Sequence, residues 1–159
     1  MEHAMKVTPA GETEVPQIAA LWHAGWHEGH GDIVPDALLA SRTLAEFTDR
    51  TRTHLDATRV ARVGGVLAGF FMTQGDELYQ FYVDAAFRGQ GVAAALMQVA
   101  EATLPRGRVW LACTVGNDRA ARFYEKCGWH RSATERYEVE TAAGAQAVTV
   151  WRFVKVLAP

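Results

Sequence analysis

The sequence predicts an α/β fold: a mixed, mostly antiparallel central sheet flanked by helices, in the order β-α-α-β-β-β-α-β-α-β-β. Three observations carry this reading. Alternating runs on either side of Gly64-Gly65 read as a β-hairpin. After Val83 the apolar period switches from strand-like to helical and holds until Pro105. The chain then closes on two extended runs joined across Ala142-Ala143-Gly144.

Met5 to Thr8 reads as a short first strand. From Glu12 or Thr13, the residues Val15, Ile18, Ala19, Leu21, Trp22 and Trp26 recur at helical spacing, and Gly29 and Gly31 end the run. Pro35 and Asp36 open a second helix through Leu38, Leu39, Leu44 and Phe47; proline in a first turn sacrifices no helical hydrogen bond. Thr58 to Val63 and Val66 to Thr73 form the hairpin, and Glu77 to Val83 follows the Gly75-Asp76 turn. A helix from Gly91 to Leu104, a strand from Arg108 to Thr114 and a helix from Asn117 to Lys126 come next, with Gly128 as its stop. Ser132 to Thr141 and Gln146 to Val156 are the closing strands.

The chain has 159 residues without repeats or linker-like tracts, so residues 1–159 read as one domain. Its 49% hydrophobic and 21% charged residues are a globular composition. A net charge of −2 offers no electrostatic reason to expect nucleic acid or an anionic membrane as partner. No apolar run approaches the ~18 residues of a membrane span. The start, Met1-Glu2-His3-Ala4-Met5-Lys6, lacks a basic segment followed by an apolar one, so no secretion signal is expected. Cys113 and Cys127 are too few and too far apart for a disulfide framework or a zinc half-site, which makes a reducing cytoplasm the expected compartment.

The strongest chemical signal lies where the strand ending at Val83 runs through Asp84-Ala85-Ala86-Phe87 into Arg88-Gly89-Gln90-Gly91-Val92-Ala93 and a helix. A helix start leaves backbone N–H groups unpaired and carries partial positive charge. Glycines there admit a ligand close to the backbone, and Arg88 adds a permanent charge suited to phosphate. No Gly-Lys-Ser/Thr follows, and the third glycine of a dinucleotide fingerprint is missing. A pyrophosphate on a short loop remains, against the plain alternative of a surface turn.

A second segment, Asn117-Asp118-Arg119-Ala120-Ala121-Arg122-Phe123-Tyr124-Glu125-Lys126-Cys127-Gly128-Trp129, follows after one strand. Together the two segments resemble the GCN5-related N-acetyltransferase (GNAT) family. Arg88, Gly91 and Ala93 match its glycine-rich helix start, with Ala93 in place of a glycine. Asn117, Ala120, Tyr124, Gly128 and Trp129 match its second motif. The likeness is densest from Glu77 to Trp129, and the element order extends it over almost the whole chain.

The resemblance implies acetyl-CoA as acyl donor and a small-molecule or peptide amine as acceptor, with no metal. It implies pyrophosphate on the N–H groups of Arg88, Gly89, Gln90, Gly91, Val92 and Ala93, and the pantetheine arm along Phe81, Tyr82 and Val83. An N–H near Val83 would face the thioester carbonyl as an oxyanion donor. Asn117 and Ala120 would hold the coenzyme from the next helix. Tyr124 falls at the family's acid position, where a phenol of pKa ~10 can protonate the departing thiolate; the plain alternative is a packed helix tyrosine. Glu77 is the candidate base, with Glu28, His27 and His30 as rivals and an exposed strand-end charge as the alternative. Homodimers occur in the family, and the closing strands or an exposed Trp151 would supply the surface.

The stretch from Leu21 to His30 is rich in tryptophan and histidine. His23 and His27 share a helix face and His30 follows a turn later, but no further zinc ligand accompanies them. In the resembling family the first helices shape the acceptor pocket, which makes Trp26, His27, His30 and Asp32 candidate substrate contacts; core packing is the alternative for the tryptophans. The competing functional reading is a non-catalytic acyl-CoA-binding or sensor domain on the same scaffold. The acceptor, whether small amine, amino acid, antibiotic or protein N-terminus, stays open.

Overall fold

The computed structural model describes residues 4–159; Met1 to His3, which entered the reading of the chain start, lie outside the described residues. Among the described residues seven strands form one sheet. Their spatial order is β1 (Met5–Pro9), β2 (Thr58–Val63), β3 (Val66–Gln74), β4 (Glu77–Val83), β5 (Gly107–Thr114), β7 (Gly144–Leu157) and β6 (His130–Thr141). All neighbours are antiparallel except β4 and β5. The helices are α1 (Val15–His30), α2 (Asp36–Ser41), α3 (Leu44–Thr53), α4 (Val92–Thr103) and α5 (Asp118–Lys126). No helix of the described residues is long and apolar enough to cross a membrane.

The strand and helix order is as expected, with one refinement. The second helical run is divided at Arg42-Thr43 into α2 and α3. Thr43 Oγ1 accepts from the Glu46 N–H at 3.2 Å, so the hydroxyl caps a new helix instead of continuing the old one. Arg42 turns inward at the break, ion-pairs with Glu46 and donates to Glu140 O at 2.7 Å.

The sheet carries an apolar core on each face. One joins Phe71, Leu78, Val109, Leu111 and Phe153 to Leu96, Met97 and Ala100 of α4, Ala121 of α5, and Trp129. The other joins Val60, Phe70 and Met72 to Ile18, Trp22 and Trp26 of α1 and Phe47 of α3. Phe47 is fully buried, with its ring 5.1 Å from Trp22 and 6.1 Å from Trp26. Phe47→Ala is therefore expected to cost ~3–5 kcal/mol in urea unfolding, the usual range for emptying a packed aromatic site. A loss below about 1 kcal/mol would mean that α3 is not part of the cooperative core.

Two features of β4 position the site. Met72 pairs with Gln80 but Thr73 with Leu78, so Tyr79 is the extra residue of a bulge, which re-aims neighbouring side chains. Gly25 of α1 lies against Tyr82, where a Cβ would come within 2.6 Å of the ring, so the glycine lets α1 close onto β4.

Candidate active site

β4 and β5 are in register at a single pair, Glu77 with Trp110, next to the bond from Trp110 N–H to Asp76 O at 3.1 Å. Beyond it they separate around a cleft of about 670 Å³ lined by both strands and by α1, α4 and α5. Strand residues direct their N–H groups alternately to opposite edges. Since Asp84 N–H donates to Ala68 O of β3 at 2.8 Å, the N–H groups of Val83 and Phe81 point into the gap. The β4 edge thus offers donors that its parallel neighbour does not take.

The glycine-rich segment closes one end. Gly91, at φ 79°, is the N-cap of α4, a left-handed conformation costly for any residue with a Cβ. The first helical bond runs from Ala95 N–H to Gly91 O at 3.1 Å, which leaves the N–H groups of Val92, Ala93 and Ala94 without helical partners. A Cβ at Gly89 or Gly91 would meet nothing within 4 Å, so the loop lies open to a ligand. Arg88 and Arg119 both ion-pair with Glu28 of α1, and the two guanidiniums hold the Glu28 carboxyl below its usual range. Gln90 does not line the cleft, and its side-chain amide donates to Ala86 O at 3.1 Å.

Phe81, Tyr82, Val83, Asn117, Ala120 and Tyr124 all line the cleft. Asn117 is the N-cap of α5 and faces α1, where a Cβ at Gly29 would come within 3.0 Å of its Nδ2. The Tyr124 ring packs in tilted geometry against Phe123 and Phe153, with centroids at 5.7 and 5.8 Å, and its hydroxyl has no hydrogen-bond partner among the described residues. Burial pushes its pKa well above that of a free phenol, so the hydroxyl keeps its proton and remains a donor. Cys113 also lines the cleft, but burial pushes its thiol up to about 12 and leaves it a poor nucleophile at neutral pH.

Glu77 sits where the strands part, is 7% exposed, and accepts from Tyr137 O–H at 2.9 Å. Burial raises its pKa, more than the Tyr137 bond and nearby Arg152 lower it. An exposed strand-end charge is thereby replaced by a buried, basic carboxylate. The rivals fare differently. Glu28 is held by two arginines. His30 is 9% exposed, with a pKa lowered by burial to about 4, so it is neutral and weakly basic.

Of the residues expected at the acceptor end, Trp26, His30 and Asp32 line the cleft, with His30 stacked on Trp26 at 4.7 Å. His27 does not line it. Its Nε2 lies 2.7 Å from Arg42 O, and since a carbonyl can only accept, that nitrogen carries a proton and holds the α2–α3 break. His30 Nδ1 is likewise spent on Trp26 O at 2.8 Å, so the histidine spacing serves packing. Trp151, expected on the surface, is half-buried beneath Arg131, whose Cζ stands 4.0 Å from its ring.

Arg42, Arg50, Tyr79 and Tyr137 also line the cleft and were not anticipated. Arg50 did leave a signal. It follows Phe47 by three residues, which puts a charge on the apolar face of α3. Tyr137 left none, because β6 reaches the site only through its pairing with β7.

The sequence pattern of the Acetyltransferase (GNAT) family matches residues 16–129. The uncharacterized N-acetyltransferase Rv2669 of Mycobacterium tuberculosis is 36% identical over 112 residues, which cover 65% of this chain and 70% of that protein. The uncharacterized N-acetyltransferase Mb2688 of Mycobacterium bovis is similar to the same extent, at 36% over 112 residues. Among solved structures, the apo form of YjaB from Escherichia coli superposes with a TM-score of 0.72 at 20% identity, over 98% of this chain and 99% of that one. The PaiA N-acetyltransferase from Thermoplasma acidophilum in complex with coenzyme A superposes with a TM-score of 0.67 at 14% identity, over 96% and 99%. The chain belongs to the GNAT family, and it is an acetyl-CoA-dependent acyltransferase.

Proposed function

We propose that this enzyme transfers the acetyl group of acetyl-CoA directly to a primary amine in the cleft between β4 and β5. The observation that carries the reading is the unpaired β4 edge, with the N–H groups of Phe81 and Val83 facing the gap and the open Gly89–Gly91 loop at its end. An extended pantetheine arm pairs with such an edge as an added strand would. The unpaired N–H groups at the start of α4 suit pyrophosphate, and Arg88 and Arg119 can exchange Glu28 for phosphate oxygens.

In this reading the amine nitrogen bonds to the acetyl carbon, the carbon–sulfur bond breaks, and the sulfur leaves with a proton. Backbone N–H groups of β4 stabilise the oxyanion. Tyr124 donates from its free hydroxyl to the departing sulfur. Glu77 takes the proton that the amine loses, directly or through water. Direct attack agrees with Cys113, whose thiol is too weakly acidic to carry the acetyl group first. Trp26, His30 and Asp32 shape the acceptor pocket. The compartment in this reading is the cytoplasm, where the free thiols of Cys113 and Cys127 stay reduced.

Thiol release from acetyl-CoA across an amine panel tests the reading, and its pH dependence tests Glu77. Only the ionised carboxylate can accept a proton. Activity is therefore expected to climb with pH through a pKa above the ~4.3 of free glutamate. Glu77→Gln is expected to lower kcat about 10²-fold and to flatten that acidic limb. An unchanged limb in Glu77→Gln would transfer the base to another group, and no thiol release with any amine would remove the proposed reaction.

A further inference from the structure

Among the described residues, one charge beside Glu77 in the cleft has no counter-charge. Four arginines line the cleft: Arg42 is paired with Glu46, and Arg88 and Arg119 with Glu28. Arg50 has no carboxylate within salt-bridge distance among the described residues. Its Nε and Nη1 are buried without a hydrogen-bond partner among the described residues, and its Cζ stands 4.3 Å from the Trp22 ring centroid. A ring face offsets charge but leaves the in-plane N–H donors unanswered.

The remaining nitrogen shows where an anion would go. Arg50 Nη2 donates to Tyr79 Oη at 3.0 Å. The phenol accepts there, and its own O–H donates to no acceptor among the described residues. A hydroxyl polarised by a guanidinium and lining the cleft is a charge-assisted donor toward an anion. Tyr79 is two residues beyond Glu77 on β4, and both turn to the face that carries α1 and α3. Glu77 is itself without a cation within 4 Å among the described residues. The pocket thus holds an unpaired carboxylate and an unpaired guanidinium, on elements packed side by side.

We propose that the acceptor is an amino carboxylate, such as an amino acid, with its amino group toward Glu77 and its carboxylate at Tyr79 O–H and Arg50. This rests on the acetyl-transfer reading of the same cleft. One unit of positive charge among aromatic rings matches a carboxylate. A phosphate dianion would leave an unbalanced negative charge in that apolar setting.

Thiol release from acetyl-CoA is measured with α-, β- and γ-amino acids, each beside its decarboxylated amine and its primary amide. At least one amino acid is expected to exceed both of its neutral counterparts about tenfold or more in kcat/KM. Arg50→Met is expected to shrink that preference to about threefold or less, mainly through KM, while Arg50→Lys keeps part of it. If Arg50→Met does not fold by circular dichroism, Tyr79→Phe takes its place and is expected to shrink the preference in the same direction. Amines or amides that equal the amino acids throughout the panel, or a preference that survives loss of Arg50 or of the Tyr79 hydroxyl, overturn the proposal. Calorimetric titration of acetyl-CoA separates the two readings. Protein that binds acetyl-CoA without favouring amino acids defeats only the acceptor assignment, and protein that binds no acetyl-CoA defeats the transfer reading beneath it.

Discussion

Gly91→Glu is expected to weaken acetyl-CoA binding by about 100-fold or more, so that a calorimetric titration saturating with the wild type shows no saturable heat. Two effects act together. Gly91 is the N-cap of α4 at φ 79°, and a side chain there costs ~1–2 kcal/mol of backbone strain or forces the loop to a new path. The new carboxylate also stands beside the unpaired N–H groups of Val92, Ala93 and Ala94, where it takes the place proposed for pyrophosphate and repels it. An acidic residue suits a helix N-terminus, so α4 is retained while the ligand is lost. A Cβ at Gly91 meets nothing within 4 Å, which removes packing as a cause. Gly91→Ala, which adds the strain without the charge, is expected to lose only about tenfold. Wild-type affinity in Gly91→Glu would place the coenzyme elsewhere.

Tyr124→Phe is expected to lower kcat by ~10² or more and to change the dissociation constant of acetyl-CoA far less. The substitution removes one oxygen and keeps the ring that packs against Phe123 and Phe153. Because that hydroxyl bonds to no described residue, its loss breaks no structural hydrogen bond, and folding stability should be nearly unaffected. The raised pKa sets the pH behaviour. A phenol held protonated well above pH 10 donates across the whole working range, so Tyr124 adds no alkaline limb near neutrality. Full turnover in Tyr124→Phe would remove the tyrosine from the mechanism and leave the thiolate to be protonated by water.

Much of this site was legible before any coordinates. The loop from Arg88 to Ala93 and the segment from Asn117 to Trp129 are local: each is a helix start or a single helix whose residues meet through short spacing. Glu77, Phe81 and Val83 come from the family resemblance, since the bulge at Tyr79 breaks the alternation of β4 and turns Glu77 to one face and Phe81 and Val83 to the other. Side-chain direction is less legible: the Gln90 amide and the His27 ring each bond to a backbone carbonyl, Ala86 O for one and Arg42 O for the other. The break at Arg42 was hidden because a threonine cap and an inward arginine look like ordinary helix residues until Glu140 from the distant hairpin completes the arrangement.

The order of elements and the glycine-dependent helix start can be read from the chain alone, because they follow from periodicity, backbone conformation and spacing within one segment. The end of the cleft beside Glu77 is instead set by tertiary packing. Arg50 from α3, Tyr79 at a bulge in β4 and Tyr137 from β6 meet there although 29 positions separate Arg50 from its partner Tyr79 and 60 separate Glu77 from its partner Tyr137. Which of their polar atoms find partners depends on what the packing supplies, and that is not encoded at any one position of the chain.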